Sequence, residues 1–119
     1  MDRAIELLEG LRALHSDSAT IHAALGRAYG RKYAMRSERE WEIKAADACQ
    51  RALDLDPHAP EVFVTLGDLH VSTGRTDDAI EAFRHAIELR PEYVEAWSGI
   101  SLAHLQANRH ATPRTRAAG

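Results

Sequence analysis

The sequence predicts an all-α fold: an α-solenoid of about six helices arranged as antiparallel pairs. Three observations carry this expectation. First, the chain repeats itself, and self-similarity at a fixed period marks stacked helical units. "ALDLDP" (52–57) recurs 34 residues later as "AIELRP" (86–91), and Ala45, Phe63, Leu66-Gly67 and His70 recur at the same spacing as Ala79, Trp97, Ile100-Ser101 and His104. Second, the apolar positions of each unit keep the period of one helix face: Phe63, Leu66, Gly67 and His70 fall at i, i+3, i+4 and i+7. Third, Pro60, Gly74 and Pro91 punctuate the pattern where helices should start and stop. Upstream the period lengthens to 41, from Leu25-Gly26 to Leu66-Gly67 and from Ala4-Ile5 to Ala45-Ala46.

Taken in order, residues 2–15 should form a second helix without its first, with Ala4, Leu8, Leu11 and Leu14 inward. Residues 19–35 and 38–55 should form the long pair, and 60–73 and 77–90 the regular one. In the regular pair Pro60 opens the first arm and Gly74 ends it. Thr76 or Asp77 can cap the second arm, with Asp78 in its first turn. Ala79, Phe83, Ala86 and Ile87 make that arm's inner face. Residues 93–107 should be a first helix without its second, closed by Asn108 as a left-handed cap. Residues 1–108 are thus expected as one domain, and 109–119 ("RHATPRTRAAG" from Arg109) as a disordered basic tail.

The stretch "YAMRSEREW" (33–41) holds the surplus of the long unit. Ser37-Glu38-Arg39-Glu40 reads as a capping box, so a helix should start after Ser37. The surplus is seven residues, about two helical turns. Five are expected in the second arm and two in the first or its turn, giving a taller hairpin with Tyr33, Met35 and Trp41 packed at its tip.

The regular unit resembles the tetratricopeptide repeat (TPR) in length and in its W…LG…Y…A…F…A…P spacing. Phe63, Leu66-Gly67, His70, Ala79, Phe83, Ala86 and Pro91 fill those slots, with Phe for Trp and His for Tyr as departures, and the likeness covers about residues 2–108. The resemblance implies a right-handed superhelix whose concave surface, lined by the first helix of each unit, binds a peptide or a partner protein. Carrying the groove positions across gives Ala23, Arg27 and Arg31 (with Thr20), then Glu61, Val64, Asp68 and Val71 (with Ser72), then Glu95, Ser98, Leu102 and Leu105 (with Gln106). Such a groove suits an extended or helical peptide with apolar anchors and some positive charge. Members that hold a chaperone's C-terminal carboxylate do so with Lys and Asn, but the matching positions here are Ala23, Arg27, Thr65, Glu95 and Gly99, and Glu95 would repel it. The long-plus-regular arrangement is also loosely similar to regions attached to bacterial signalling proteins such as Ser/Thr kinases.

Bulk properties narrow the function further. Of 119 residues 28% are charged, with a net charge of −3, which gives no reason to expect a nucleic-acid or membrane-surface partner. No apolar run approaches the roughly 18 residues of a membrane span, the start carries no signal-peptide pattern, and a single Cys49 fits a reducing, cytoplasmic setting. Cys49 takes the slot of Phe83, which marks a buried structural thiol and not a nucleophile. His22, His70 and His104 occupy packing slots and show no zinc spacing, so neither metal nor cofactor is expected. The carboxylates Asp77, Asp78, Glu81, Glu88, Glu92 and Glu95 sit at helix starts and outer faces, and no enzyme is expected. Arg27, Arg31, Lys32, Arg36 and Arg39 are interleaved with acids and read as a solvated face. The half repeats at both ends suggest a part of a larger multi-domain protein; the second reading is a homodimer paired through its apolar terminal helices.

Overall fold

Six helices run in sequence in the computed structural model: α1 (Asp2–Leu14), α2 (Ala19–Arg36), α3 (Arg39–Leu55), α4 (Pro60–Ser72), α5 (Thr76–Leu89) and α6 (Val94–Ala118). The backbone is described for residues 2–118 and the side chains for residues 3–108. The expectation of a disordered basic tail falls on residues 109–119, whose side chains lie outside the described residues. The helix does run through Asn108, which is no left-handed cap.

The helices form antiparallel hairpins, α2 on α3 and α4 on α5, with α1 and α6 packed at the two ends. The first helices touch one another, α2 against α4 and α4 against α6, whereas the backbones of the second helices α1, α3 and α5 do not approach one another closely among the described residues. Drawing one layer together while the other splays curves the stack, with α2, α4 and α6 on the inner side.

Small residues set the close approach. Ala45, Ala52, Ala79 and Ala86 are all 0% exposed, so the inner face keeps one phase in the long and the regular hairpin. In the regular hairpin Phe83 fills the space between α4 and α6. A methyl group added at Gly67 or Gly99 would lie 2.6 or 2.3 Å from its ring, so only glycine fits. In the long hairpin Gly26 plays the same part beneath Cys49, whose Sγ would lie 2.7 Å from an added methyl.

Helix ends follow local chemistry, with corrections to the sequence reading. Ser18 caps α2 by accepting from the Ile21 N–H at 3.3 Å. Pro60 opens α4, and Gly74 (φ 79) closes it. Ser37 does not open α3: it is left-handed (φ 54) and ends α2, its N–H bonded to the Tyr33 carbonyl. A residue in that conformation cannot also take the extended backbone an N-cap needs, so Glu38 takes the position, and its carboxylate accepts from Trp41 Nε1 at 3.0 Å. Neither Thr76 nor Asp77 caps α5, whose N-cap is Arg75; the Thr76 hydroxyl is drawn instead to Gln106 Oε1 on α6, at 2.9 Å.

The surplus stretch is a taller helical hairpin, but most of the gain is in the first arm: α2 has 18 residues against 13 in α4, and α3 has 17 against 14 in α5. At its tip Trp41 tilts against Tyr29 with ring centroids 6.1 Å apart, and Lys32 and Lys44 place their ammonium groups 5.4 and 5.0 Å from the indole. Tyr33 is half-buried there, whereas Met35 is 64% exposed and not part of the packed tip that the sequence reading expected. Lys32 is buried, so the basic cluster of α2 is not wholly a solvated face.

On α1 the buried position is Ile5, which joins Leu25, Tyr29, Ala45 and Ala48. Of the expected inner face Leu8 is half-buried, while Ala4, Leu11 and Leu14 are exposed. No described helix covers Ala4, Leu11 and Leu14, whereas Leu8 packs against the Ile5 cluster.

Candidate functional site

The curvature leaves one open groove of about 620 Å³ between α2, α4 and α6. Its α2 wall is low, because Ala23, Ala24, Gly30 and Ala34 carry little or no side chain. Its floor is apolar where α4 presents Val64, Leu69 and Val71, and Leu102 continues that strip onto α6. Charge sits around the floor. Arg27 and Arg31 come from α2, Glu61 and Asp68 from α4, and Glu95 from the start of α6.

The i, i+3, i+4, i+7 spacing of each first helix explains why these residues converge: a face three or four residues wide repeats at every turn. Of the eleven positions expected to line a groove, Ala23, Arg27, Arg31, Glu61, Val64, Asp68, Val71, Glu95 and Leu102 come together. Ser98 and Leu105 do not; both are exposed on α6, beyond the groove's edge. Reasoning from first-helix positions also missed Tyr93, which sits in the turn before α6 and closes that edge. Its signal was an aromatic following the Pro91-Glu92 turn, with an adjoining Arg90 whose guanidinium lies 4.9 Å from the ring.

The electrostatics show how closely the charges are set. Burial in the groove wall raises the Asp68 carboxyl above its ordinary range, and Arg27 pulls it back. Tyr93 is likewise pushed up, first by burial and then by Glu95 and Glu61, with Arg90 and Arg27 opposing. Arg27 thus acts on both sides of the groove. Two acids beside a tyrosine at one edge, and an arginine facing an acid at the centre, make a surface able to hold a cationic side chain next to an apolar one.

The other titratable groups are placed by packing. Cys49 is 0% exposed, and burial pushes its thiol up to about 12, far from a reactive thiolate. His22 is buried, and its Nε2 donates to the Ser16 carbonyl at 2.9 Å. His70 is half-buried, and burial lowers its pKa, with Asp78 opposing. His104 is exposed. Among the described residues no group of three His, Cys, Asp or Glu side chains is placed to hold a metal ion, and no helix is long and apolar enough to cross a membrane.

Comparison with known proteins agrees with this geometry. Two tetratricopeptide repeat profiles match, over residues 43–84 and 64–112. The chain is 31% identical to the mouse BBSome complex member BBS4, over 59% of this chain and 16% of that protein. It is 37% identical to human protein O-mannosyl-transferase TMTC1, over 54% of this chain and 8% of that one. It therefore spans a small part of the length of these relatives. Among solved structures, a crystal structure of the MamA protein superposes with a TM-score of 0.72 at 31% identity, covering 90% of this chain and 55% of that one. A second MamA crystal structure gives 0.69 at 29% identity, covering 87% and 57%. Shared spacing, shared helix pairing and two overlapping profile matches assign this chain to the tetratricopeptide repeat family.

Proposed function

We infer that this chain binds a partner protein on its concave groove, through a peptide segment that carries an apolar anchor and a basic residue. One observation carries the reading: the groove joins an apolar strip, Val64, Val71 and Leu102, to the carboxylates Glu61, Asp68 and Glu95 in one continuous surface. The apolar anchor sits on the strip and loses its contact with water. The basic residue meets the acids at the edge, where partial burial strengthens the attraction. Arg27 and Arg31 set the direction, since they favour an acidic or carbonyl-rich stretch of the same segment. The reading makes the chain a non-catalytic module of a larger protein, in a reducing compartment that suits a free Cys49.

The experiment is a fluorescence anisotropy titration with two synthetic peptide panels, apolar anchors flanked by Lys or Arg and the same anchors flanked by Glu. The basic panel should bind in the micromolar range and the acidic panel should not. Asp68→Lys should abolish the difference while leaving the circular dichroism unchanged, because Asp68 lines the open groove, partly covered by its wall yet with a solvent-accessible side. Equal binding of both panels, or binding insensitive to Asp68, would overturn the proposal.

A further inference from the structure

A second cavity, of about 450 Å³, lies between α1 and α3 over the start of α2. Arg12, Ala13, Ser16, His22, Asp47 and Arg51 line it, and none of them lines the groove. The repeat shows what the matching place holds elsewhere. The turns after α1, α3 and α5 share one form, ending their helices at Leu14, Leu55 and Leu89. Counting back two residues from those ends gives Arg12, Leu53 and Ile87. The shifts of 41 and 34 set His22 against Phe63 and Trp97, and Arg51 against His85. In the regular unit these positions pack. Leu53 joins the cluster of Cys49, Ala52, Ala59 and Val62, and Phe63 stacks on His85 with ring centroids 4.2 Å apart. In the long unit an arginine, a histidine and a second arginine take those places, and all three line one cavity.

His22 is 3% exposed, and only one of its ring nitrogens has a structural task. Its Nε2 donates to the Ser16 carbonyl at 2.9 Å, as the Trp97 indole Nε1 donates to the Pro91 carbonyl at 2.6 Å, six residues back in both cases. An indole has no second nitrogen, so the frame needs only that bond. His22 Nδ1 is additional: it is buried and has no hydrogen-bond partner among the described residues. An unpaired buried polar atom weakens a fold, so packing alone does not account for a histidine in this slot.

The charges select an anion. Two guanidiniums, Arg12 from α1 and Arg51 from α3, share the cavity with a single carboxylate, Asp47. Asp47 lies 3.5 Å from Arg51, one turn before it, and Arg12 also bears on the Tyr29 hydroxyl. Each guanidinium has five N–H donors, so both keep donors beyond these contacts. Their planar forks match the oxygens of a carboxylate or a phosphate. Groups on three helices suit the three terminal oxygens of a phosphate ester better than the two of a carboxylate.

We propose that this cavity binds a phosphate group, with Arg12 and Arg51 meeting its oxygens and His22 Nδ1 as the third partner. Nδ1 accepts from a protonated phosphate oxygen or, once protonated, donates to a bare one. The site is separate from the groove and does not depend on the peptide reading.

Heteronuclear NMR of the whole labelled chain tests this, with inorganic phosphate and, separately, O-phosphoserine titrated against chloride at equal ionic strength. The side-chain N–H signals of Arg12 and Arg51 and the ring signals of His22 should move together along one saturating curve. Tighter binding of inorganic phosphate identifies a free anion as the occupant, and tighter binding of phosphoserine a phosphate carried on another molecule; either supports the proposal. Arg51→Ala, at an exposed position, should weaken binding about ten-fold, as the loss of one charge-assisted hydrogen bond implies. His22→Phe should weaken it as much while keeping the circular dichroism, since Phe63 fills this slot in α4. Asp47→Asn should tighten it, because it removes the cavity's negative charge. No saturable shift of the three side chains at millimolar phosphate overturns the proposal, as do equal shifts at all the other arginines. Unchanged affinity in Arg51→Ala, or weaker binding in Asp47→Asn, overturns it equally.

Discussion

The two complete hairpins keep the same frame with different cores. In the regular hairpin, α4–α5, one residue fills the centre: Phe83 is 0% exposed and is met by Gly67 on one side and Gly99 on the other. In the tall hairpin, α2–α3, the equivalent residue is Cys49, much smaller, with Gly26 beneath it. The missing bulk is replaced further up, where Tyr29 and Trp41 pack under Lys32 and Lys44, and where the Tyr29 hydroxyl donates to Glu9 of α1. Lengthening the hairpin thus moved its hydrophobic anchor from the centre to the tip. The phase of the small residues did not move, because the added residues lie at the tip: Gly26 keeps the same distance from the start of α2 as Gly67 from the start of α4, and Cys49 the same distance from the end of α3 as Phe83 from the end of α5. The frame is held by alanine and glycine at the crossings, and the large side chains can be redistributed around it.

The contrast can be broken most severely at Phe83. Phe83→Ala should cost about 3–5 kcal/mol in urea unfolding, the range for emptying a packed aromatic site. Cys49→Ala should cost clearly less, and equal costs would show that the two cores do not differ as described. Next in size is Gly67→Ala, whose methyl collides with the Phe83 ring and should cost about 1–3 kcal/mol. Combining it with Phe83→Leu should recover part of that loss; strict additivity of the two would refute the contact. Trp41→Ala at the tip should cost about 1–2 kcal/mol, less than a fully buried aromatic because Trp41 is half-buried. It should also loosen α2–α3 selectively, which amide hydrogen exchange at the hairpin tip will register.

Alkaline titration sharpens the same difference. Burial holds the Cys49 thiol and the Tyr29 hydroxyl at about 12, Tyr29 with help from its bond to Glu9. A raised folded-state value stabilises the fold below the ordinary pKa and is lost as pH climbs through the raised one, so stability should fall between 9.0 and about 12. Cys49→Ala should flatten that fall, and Phe83→Leu should not. The smallest effect is expected from the exposed pair Arg51–Asp47, 3.5 Å apart on α3: Asp47→Ala should change stability by less than about 1 kcal/mol.

The frame was legible because its determinants are local and periodic. The 34-residue shift places Ala79 over Ala45, and the 41-residue shift places Gly67 over Gly26, and no tertiary knowledge is needed for that. The groove was legible for the same reason, since first-helix positions repeat with the unit. What escaped depends on three-dimensional competition. Ser37 satisfies the pattern of an N-cap, yet it is used to end the preceding helix, and one residue cannot do both. Tyr93 lies in a turn, outside the helical period that found its neighbours. The face of α1 was read correctly as apolar, but whether an apolar face is covered depends on a neighbour that the pattern does not contain.

The central claim is that binding happens on the inner layer. Amide and methyl chemical shifts of the labelled chain, followed while the tightest basic-apolar peptide is added, test it most directly. The account predicts that the changes concentrate on α2, α4 and the start of α6, with Ala23, Val64, Val71 and Leu102 moving first. Changes confined to α1, α3 and α5, with Val64 and Leu102 unmoved at saturation, would contradict it.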